Sequence, residues 1–372
     1  IREVQQREKR SIGYDRHCKS LTGEQRMDLD AEGAPSVVRF AMPESGPTEV
    51  NDLIRGQVEW QNELVDDFVL LKSDGFPTYH LAVVVDDHLM EISHVMRAEE
   101  WLPSTPRHLQ LCEALGYEPP KHAHLPMIMG ADRAKLSKRH GATAIGEYKD
   151  NGFLPEALTN FMVLLGWALD DKTDVVSTQT VIENFTLDRV TKSSAIFDQE
   201  KLLWMNGMYI RELTAEQLAG RMTPFLERDL SEDMLPVDQE YLQQIAPLLQ
   251  ERIKTLKESA NITSYFFKAD EEFDTGTLVQ KGMDRDSTLS ALKAALNDLS
   301  ATDDFQHEKL EEMLNATGER LELSRRQFFG VLRTAATGRS VSPPLFEMLE
   351  VLGKDRTVSR MKNAVDRFSA AS

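Results

Sequence analysis

Lys135-Leu136-Ser137-Lys138-Arg139-His140-Gly141 gathers three cations, a hydroxyl and a glycine into seven consecutive positions. That mixture suits a loop that closes over phosphates, where fixed cations stabilise the charge that grows as a phosphate bond breaks. Taken alone, a short basic turn is also an ordinary solvated surface feature. Asp86 and Asp87 resemble a metal or acid/base pair, but neighbours on a strand point to opposite faces, so they read as loop-shaping. His122 and His124 flank Ala123 at a spacing open to zinc. Without further Cys or His nearby they read as non-ligating histidines.

The elements around these residues have the grammar of an open α/β sheet. Leu81 to Val85 is a short apolar run rich in β-branched residues, which predicts a strand buried on both faces and ending at Asp86-Asp87. A second strand fits Ser93 to Arg97, and Val37 to Phe40 and Val58 to Trp60 read as two more. Ser104-Thr105-Pro106 supplies a cap and first-turn proline for a helix with Leu109, Cys112 and Leu115 on one face, which Gly116 is placed to end. Ligands bind such sheets beyond the carboxyl ends of the strands, which puts Asp86, Asp87 and Arg97 to Trp101 near a candidate site.

From Pro155 onward the pattern is helical. Leu158, Phe161, Met162 and Leu165 share a side of one helix, and Leu242, Ile245, Leu248, Leu249, Ile253 and Leu256 repeat at helical spacing. Leu289, Leu292, Leu296 and Leu299 do the same, and such stripes are core. The 372 residues suffice for two or three domains, and 41% hydrophobic with 28% charged residues is ordinary for a soluble globular chain. A net charge of −18 argues against broad affinity for nucleic acid but allows a local basic face. Two cysteines cannot build a disulfide framework, and no apolar run reaches the length of a membrane span, so a cytoplasmic protein without membrane association is expected.

Several motifs in a fixed order sharpen this reading. Gly75-Phe76-Pro77-Thr78-Tyr79-His80-Leu81-Ala82-Val83-Val84-Val85-Asp86-Asp87 is followed by His94-Val95-Met96-Arg97-Ala98-Glu99-Glu100-Trp101 and Ser104-Thr105-Pro106. Then come Lys135 to Arg139, Gly152 to Leu158, Leu164-Leu165-Gly166-Trp167, Phe197-Asp198 and Lys201 to Asn206. The series resembles the bacterial and organellar glutamyl-tRNA synthetases, and Lys135 to Arg139 matches the class I signature loop written KMSKS.

The resemblance implies α/β plus all-α architecture: the second half of a class I Rossmann-like catalytic domain followed by a helical anticodon-binding region. It implies 1–70 as a remnant of the acceptor-binding insertion, 71–130 as the second half of the catalytic domain, 131–205 as the loop and stem-contact region, and 206–372 as the anticodon region. The activity implied is ATP-dependent attachment of glutamate to tRNA through glutamyl-adenylate, with ATP and Mg2+ as cofactors and glutamate-accepting tRNA and L-glutamate as partners of a monomer. Lys138 would be catalytic, stabilising the departing pyrophosphate, with Lys135, Ser137 and Arg139 supporting the closed loop on ATP. Tyr79 would help hold glutamate, and Arg97 would meet its carboxylate with a guanidinium fork. Outside the family, Tyr79 also fits a half-buried core position, and Arg97 an ion pair with Glu99 or Glu100. Val83 sits where some members carry asparagine near the substrate and others valine.

Two features of the family pattern are absent from the sequence. Tyr14-Asp15-Arg16-His17-Cys18 resembles a segment where some members place a third zinc ligand, but the upstream cysteine pair is missing and Ser20 stands at the fourth position, so no metal is expected. The His-Ile-Gly-His-like motif that opens a helix on ATP is also missing. With Ile at position 1, this leads to the expectation of an N-terminally truncated chain, lacking on the order of a hundred residues and inactive by itself. A non-catalytic half-synthetase that binds tRNA or a protein is the alternative. Glutaminyl-tRNA synthetases, with β-barrel anticodon regions, and glutamyl-Q synthetases, with none, fit the helical C-terminal half less well.

Overall fold

The computed structural model describes residues 2–7, 13–137, 139, 144–268 and 274–371. The chain divides into two compact units, Ile1–Ser137 with Met162–Phe197, and Lys138–Phe161 with Asp198–Ser372.

In the first unit the hairpin Pro47–Asp52 and Gly56–Gln61 joins two parallel strands, Lys121–Leu125 and then His94–Ala98 at the far edge. Alternation in Pro47–Asp52 turns Thr48, Val50 and Asp52 inward. The His94–Ala98 strand covers the expected Ser93 to Arg97 segment, and its register sets Arg97 opposite His124. The helix Thr105–Leu115 connects these two parallel strands and carries Pro106 in its first turn, although Ser104 makes no side-chain cap. It ends at Gly116, whose φ of +71° is a left-handed conformation that glycine adopts without a side-chain penalty.

Leu81 to Val85 is not a strand. It forms the middle of a helix, Tyr79–Leu89, entered from an extended Thr78. A five-residue apolar run has no period of its own, and its flanks decide. Continued through Leu89, the segment turns Val84 into the core, where Val84, Leu81 and Val83 pack with Leu111, Cys112, Phe40 and Leu70. Asp86 and Asp87 are therefore helical neighbours about 100° apart, not a loop after a strand.

The second unit is built of helices around one apolar cluster. Thr214 with Gln217 and Ser324 with Gln327 form reciprocal caps that start two of the helices, Ala215–Asp229 and Arg325–Thr337. The leucine stripes face inward as expected: Leu242, Ile245 and Leu249 of Gln239–Gln250 and Leu292 and Leu299 of Arg285–Ala301 are fully buried. Ile253 and Leu256 are buried too, but they lie beyond the end of their helix at Gln250. Arg360, 2% exposed, donates to the carbonyls of Ala336, Tyr265 and Lys268 at the carboxyl ends of two helices. The partial negative charge of those ends favours a guanidinium there. Among the described residues no helix is long and apolar enough to cross a membrane.

Candidate functional site

Tyr79 and Arg97 reach one place from different elements. Tyr79 opens the Tyr79–Leu89 helix and is 48% exposed, with its ring 5.2 Å from that of Trp101. Arg97 lies on the strand leading to Trp101, with its guanidinium 5.9 Å from the indole centroid and close enough to the Tyr79 phenol for the two to interact electrostatically. A phenol, an indole and a guanidinium together can receive a small anionic molecule, the arginine supplying charge and the rings its walls.

The guanidinium is held from behind. Its Nε–H donates to His124 Nε2 at 3.1 Å, and Nη2 donates to Thr105 Oγ1 at 3.1 Å and the Trp101 carbonyl at 3.4 Å. His124 Nδ1 lies 2.5 Å from Asp52 Oδ2, and both side chains are wholly buried. Burial acts to raise the Asp52 carboxyl, but bonds from the Arg55 N–H and the His124 ring hold it below the usual carboxylate range. Burial also keeps His124 below its ordinary value, against the pull of Asp52. Arg97 itself is drawn down by burial, while Tyr79, Asp87 and Asp52 oppose that shift. The Glu99 alternative for Arg97 is taken by a different arginine, since Arg55 pairs with Glu99 at 2.5 Å.

Arg97 also lines a cavity of about 510 Å³ with Val84, Asp87, His108, Cys112 and His122. Burial pushes His108 down to about 3 and His122 down to about 4, so both are neutral at neutral pH. Burial raises the Asp87 carboxyl, against the attraction of Arg97.

The basic loop leaves the sheet through a tight hairpin. The Leu136 N–H donates to the Ile128 carbonyl at 3.0 Å and the Gly130 N–H to Ala134 at 2.8 Å, with Arg133 at φ +60° in the turn. Lys135 Nζ then meets Glu100 Oε2 at 2.5 Å, which ties the first lysine to the segment after Arg97. Ser137 and Arg139 are exposed beyond it, and Lys138 lies outside the described residues. Cys18 is exposed, with its N–H donating to the Tyr14 hydroxyl. Among the described residues no three His, Cys, Asp or Glu side chains are placed to hold a metal ion.

Sequence reasoning passed over Asp52 and set His124 aside as a non-ligand. The signal available was the two-residue period of Lys121–Leu125, which puts His122 and His124 on one face beside Arg97.

A family profile described as class I tRNA synthetases (E and Q), catalytic domain, matches residues 1–204, and an anticodon-binding-domain profile matches 217–365. The chain is 52% identical over 372 residues to a glutamate–tRNA ligase of Dehalococcoides mccartyi, covering 99% of this chain and 75% of that protein. It is 42% identical to that of Moorella thermoacetica, covering 98% and 74%. The crystal structure of a glutamate tRNA ligase from Elizabethkingia meningosepticum, in complex with its amino acid, superposes with a TM-score of 0.85 at 31% identity, over 98% of this chain and 76% of that one.

Proposed function

The chain belongs to the glutamate–tRNA ligases, class I aminoacyl-tRNA synthetases, and from that premise we propose how its residues share the work of joining glutamate to tRNA. Tyr79 and Arg97 hold the amino acid, the guanidinium receiving a carboxylate and the phenol bounding the pocket. The meeting of these two residues from separate elements is the observation that carries this reading.

Lys138 stabilises the pyrophosphate that leaves as glutamyl-adenylate forms, with Lys135, Ser137 and Arg139 supporting the loop on ATP. Positioning and charge stabilisation supply most of that step. Magnesium arrives with the nucleotide, whose phosphate oxygens suit it. No described cluster of carboxylates is arranged for it, and no residue is assigned to it. The glutamyl group then passes to a ribose hydroxyl of the tRNA's terminal adenosine.

Residues 1–70 face the acceptor end, 71–130 hold the amino acid, 131–205 carry the loop and the stem contacts, and 206–372 read the anticodon. The match of an anticodon-binding profile to 217–365 supports the last assignment. Unstacked anticodon bases offer their edges to side chains on those helices. In this reading the protein acts as a cytoplasmic monomer.

A second reading keeps only the binding functions of the family. On that reading the chain binds tRNA or a protein without charging. Glutamate-dependent exchange of pyrophosphate into ATP, followed by charging of glutamate tRNA, separates the two. Exchange and charging that require Lys138 support catalysis by this chain. Tight tRNA binding with neither exchange nor charging supports the second reading.

A further inference from the structure

Asp52 contributes no contact to the open pocket, yet it is the most heavily hydrogen-bonded carboxylate near it. Its Oδ1 accepts the N–H groups of Ile54 at 3.0 Å and Arg55 at 2.8 Å, and the His124 N–H reaches its two oxygens at 3.2 and 3.1 Å. Every one of these partners is a donor, which an ionised carboxylate alone can satisfy in full. The remaining contact, to His124 Nδ1, is therefore an N–H of the imidazole donating to Asp52. A neutral imidazole carries one proton, so His124 Nε2 is left with a lone pair. Arg97 Nε–H donates to that lone pair.

We propose that Asp52 and His124 are positioning residues for glutamate recognition, the carboxylate fixing the imidazole tautomer and the imidazole fixing the angle of the Arg97 fork. The inference rests on the reading of Arg97 as a glutamate contact.

The interposed ring has a physical advantage over a direct pair. A buried carboxylate set directly against Arg97 would neutralise the charge that a substrate carboxylate needs. The imidazole holds Nε and passes the charge of Asp52 to it at one remove, and Nη1, which none of these contacts takes, is the nitrogen left to meet a substrate carboxylate. Thr105 Oγ1 and the Trp101 carbonyl fix Nη2, so the plane of the guanidinium is set by three protein partners. A planar donor set with its orientation already fixed loses little entropy when ligand arrives.

The tautomer is the property that a merely structural pair would not need. Asp52→Asn keeps shape and keeps an oxygen for the Ile54 and Arg55 N–H groups, which places the new NH2 toward His124 Nδ1. The imidazole then accepts at Nδ1 and carries its proton on Nε2, donor against donor at Arg97.

The experiment uses the full chain, with nitrogen-15 NMR of the imidazoles and calorimetric titration of L-glutamate. The expected result is a neutral His124 protonated at Nδ1 in the unmodified protein. In Asp52→Asn the proton moves to Nε2 and glutamate affinity falls tenfold or more. His124→Gln, whose amide reaches the Nε2 position, retains more affinity than His124→Asn, whose amide reaches only Nδ1. Arg97→Lys is the control for the underlying reading and should itself lose glutamate binding. Three results overturn the inference alone while Arg97→Lys stays defective: a wild-type His124 protonated at Nε2, unchanged affinity in Asp52→Asn, or equal affinities of the Gln and Asn variants. Unchanged glutamate affinity in Arg97→Lys overturns the reading of the site, and the inference with it. The tautomer of the unmodified protein decides the matter even where a variant does not fold.

Discussion

Lys135 and Glu100, separated by thirty-five positions, meet through Nζ and Oε2 at 2.5 Å, with 63% and 36% of their side chains exposed. The pair joins the first lysine of the signature loop to the segment that follows the His94–Ala98 strand. Exposed pairs of this kind contribute roughly 0–1 kcal/mol, because water screens them and two long side chains must be ordered. A contact that weak can guide a loop to its place without locking it there. Glu100→Gln should accordingly change the unfolding free energy by less than about 1 kcal/mol. Denaturant titration measures this, and a loss well above that figure would make the pair a structural anchor instead.

Lys138→Ala should slow glutamate-dependent pyrophosphate exchange by about 10²- to 10³-fold, the usual effect of removing one charge-stabilising donor. Filter binding of glutamate tRNA should stay within about twofold, since one cation fewer alters the phosphate contribution only slightly. Lost tRNA binding with normal exchange would move this lysine from the nucleotide to the tRNA.

Much of this was legible before any coordinates. The ordered motifs around Tyr79, Arg97 and Lys138 carried the family, and the Gly116 stop and the leucine stripes carried their helices. The segment Leu81 to Val85 was misread because β-branched residues favour strands only weakly, and packing against Leu111 and Cys112 overrides that preference. Asp52 was invisible for a different reason. Its role depends on a strand pairing that sets it near His124, and nothing local to Asp52 announces that partner.

Acid should weaken the catalytic unit in a definite window. Burial holds His108 at about 3 in the fold, against an ordinary imidazole value of 6.5, with Arg97, His80 and His122 adding to the effect. His122 is held at about 4 from the same starting point. The unfolded chain therefore takes up protons first as the pH falls, and stability is full above pH 6.5. Below that it declines by up to about 1.4 kcal/mol per pH unit for each histidine, until the folded values near 4 and 3 are reached. Melting temperatures recorded from pH 7.5 to 4.5 test this. His108→Gln should flatten the slope by close to one proton, and an unchanged slope would remove His108 from the account.

Gly152 in the helical unit should tolerate no side chain. Its φ is +81°, and an added Cβ would lie 2.5 Å from the Lys257 nitrogen and 2.6 Å from that of Leu256. The Leu256 N–H also donates to the Gly152 carbonyl at 3.0 Å, so the two backbones cannot simply part. Gly152→Ala should cost about 2–4 kcal/mol, combining a left-handed conformation with a backbone clash. Differential scanning calorimetry reads this directly, and a shift in Tm of a degree or less would contradict the close approach.

The string from Asp52 through His124 to Arg97 has a consequence in time as well as space. Asp52 and His124 stand 72 positions apart, and His124 and Arg97 a further 27. Contacts of such long range carry a larger loop-closure entropy and are slow to form, later than helices whose turns close within four residues. A chain emerging from denaturant can thus regain most of its helical signal while Arg97 still lacks its two buried supports. On the proposed reading of the site, affinity for glutamate should therefore return after the helical signal does.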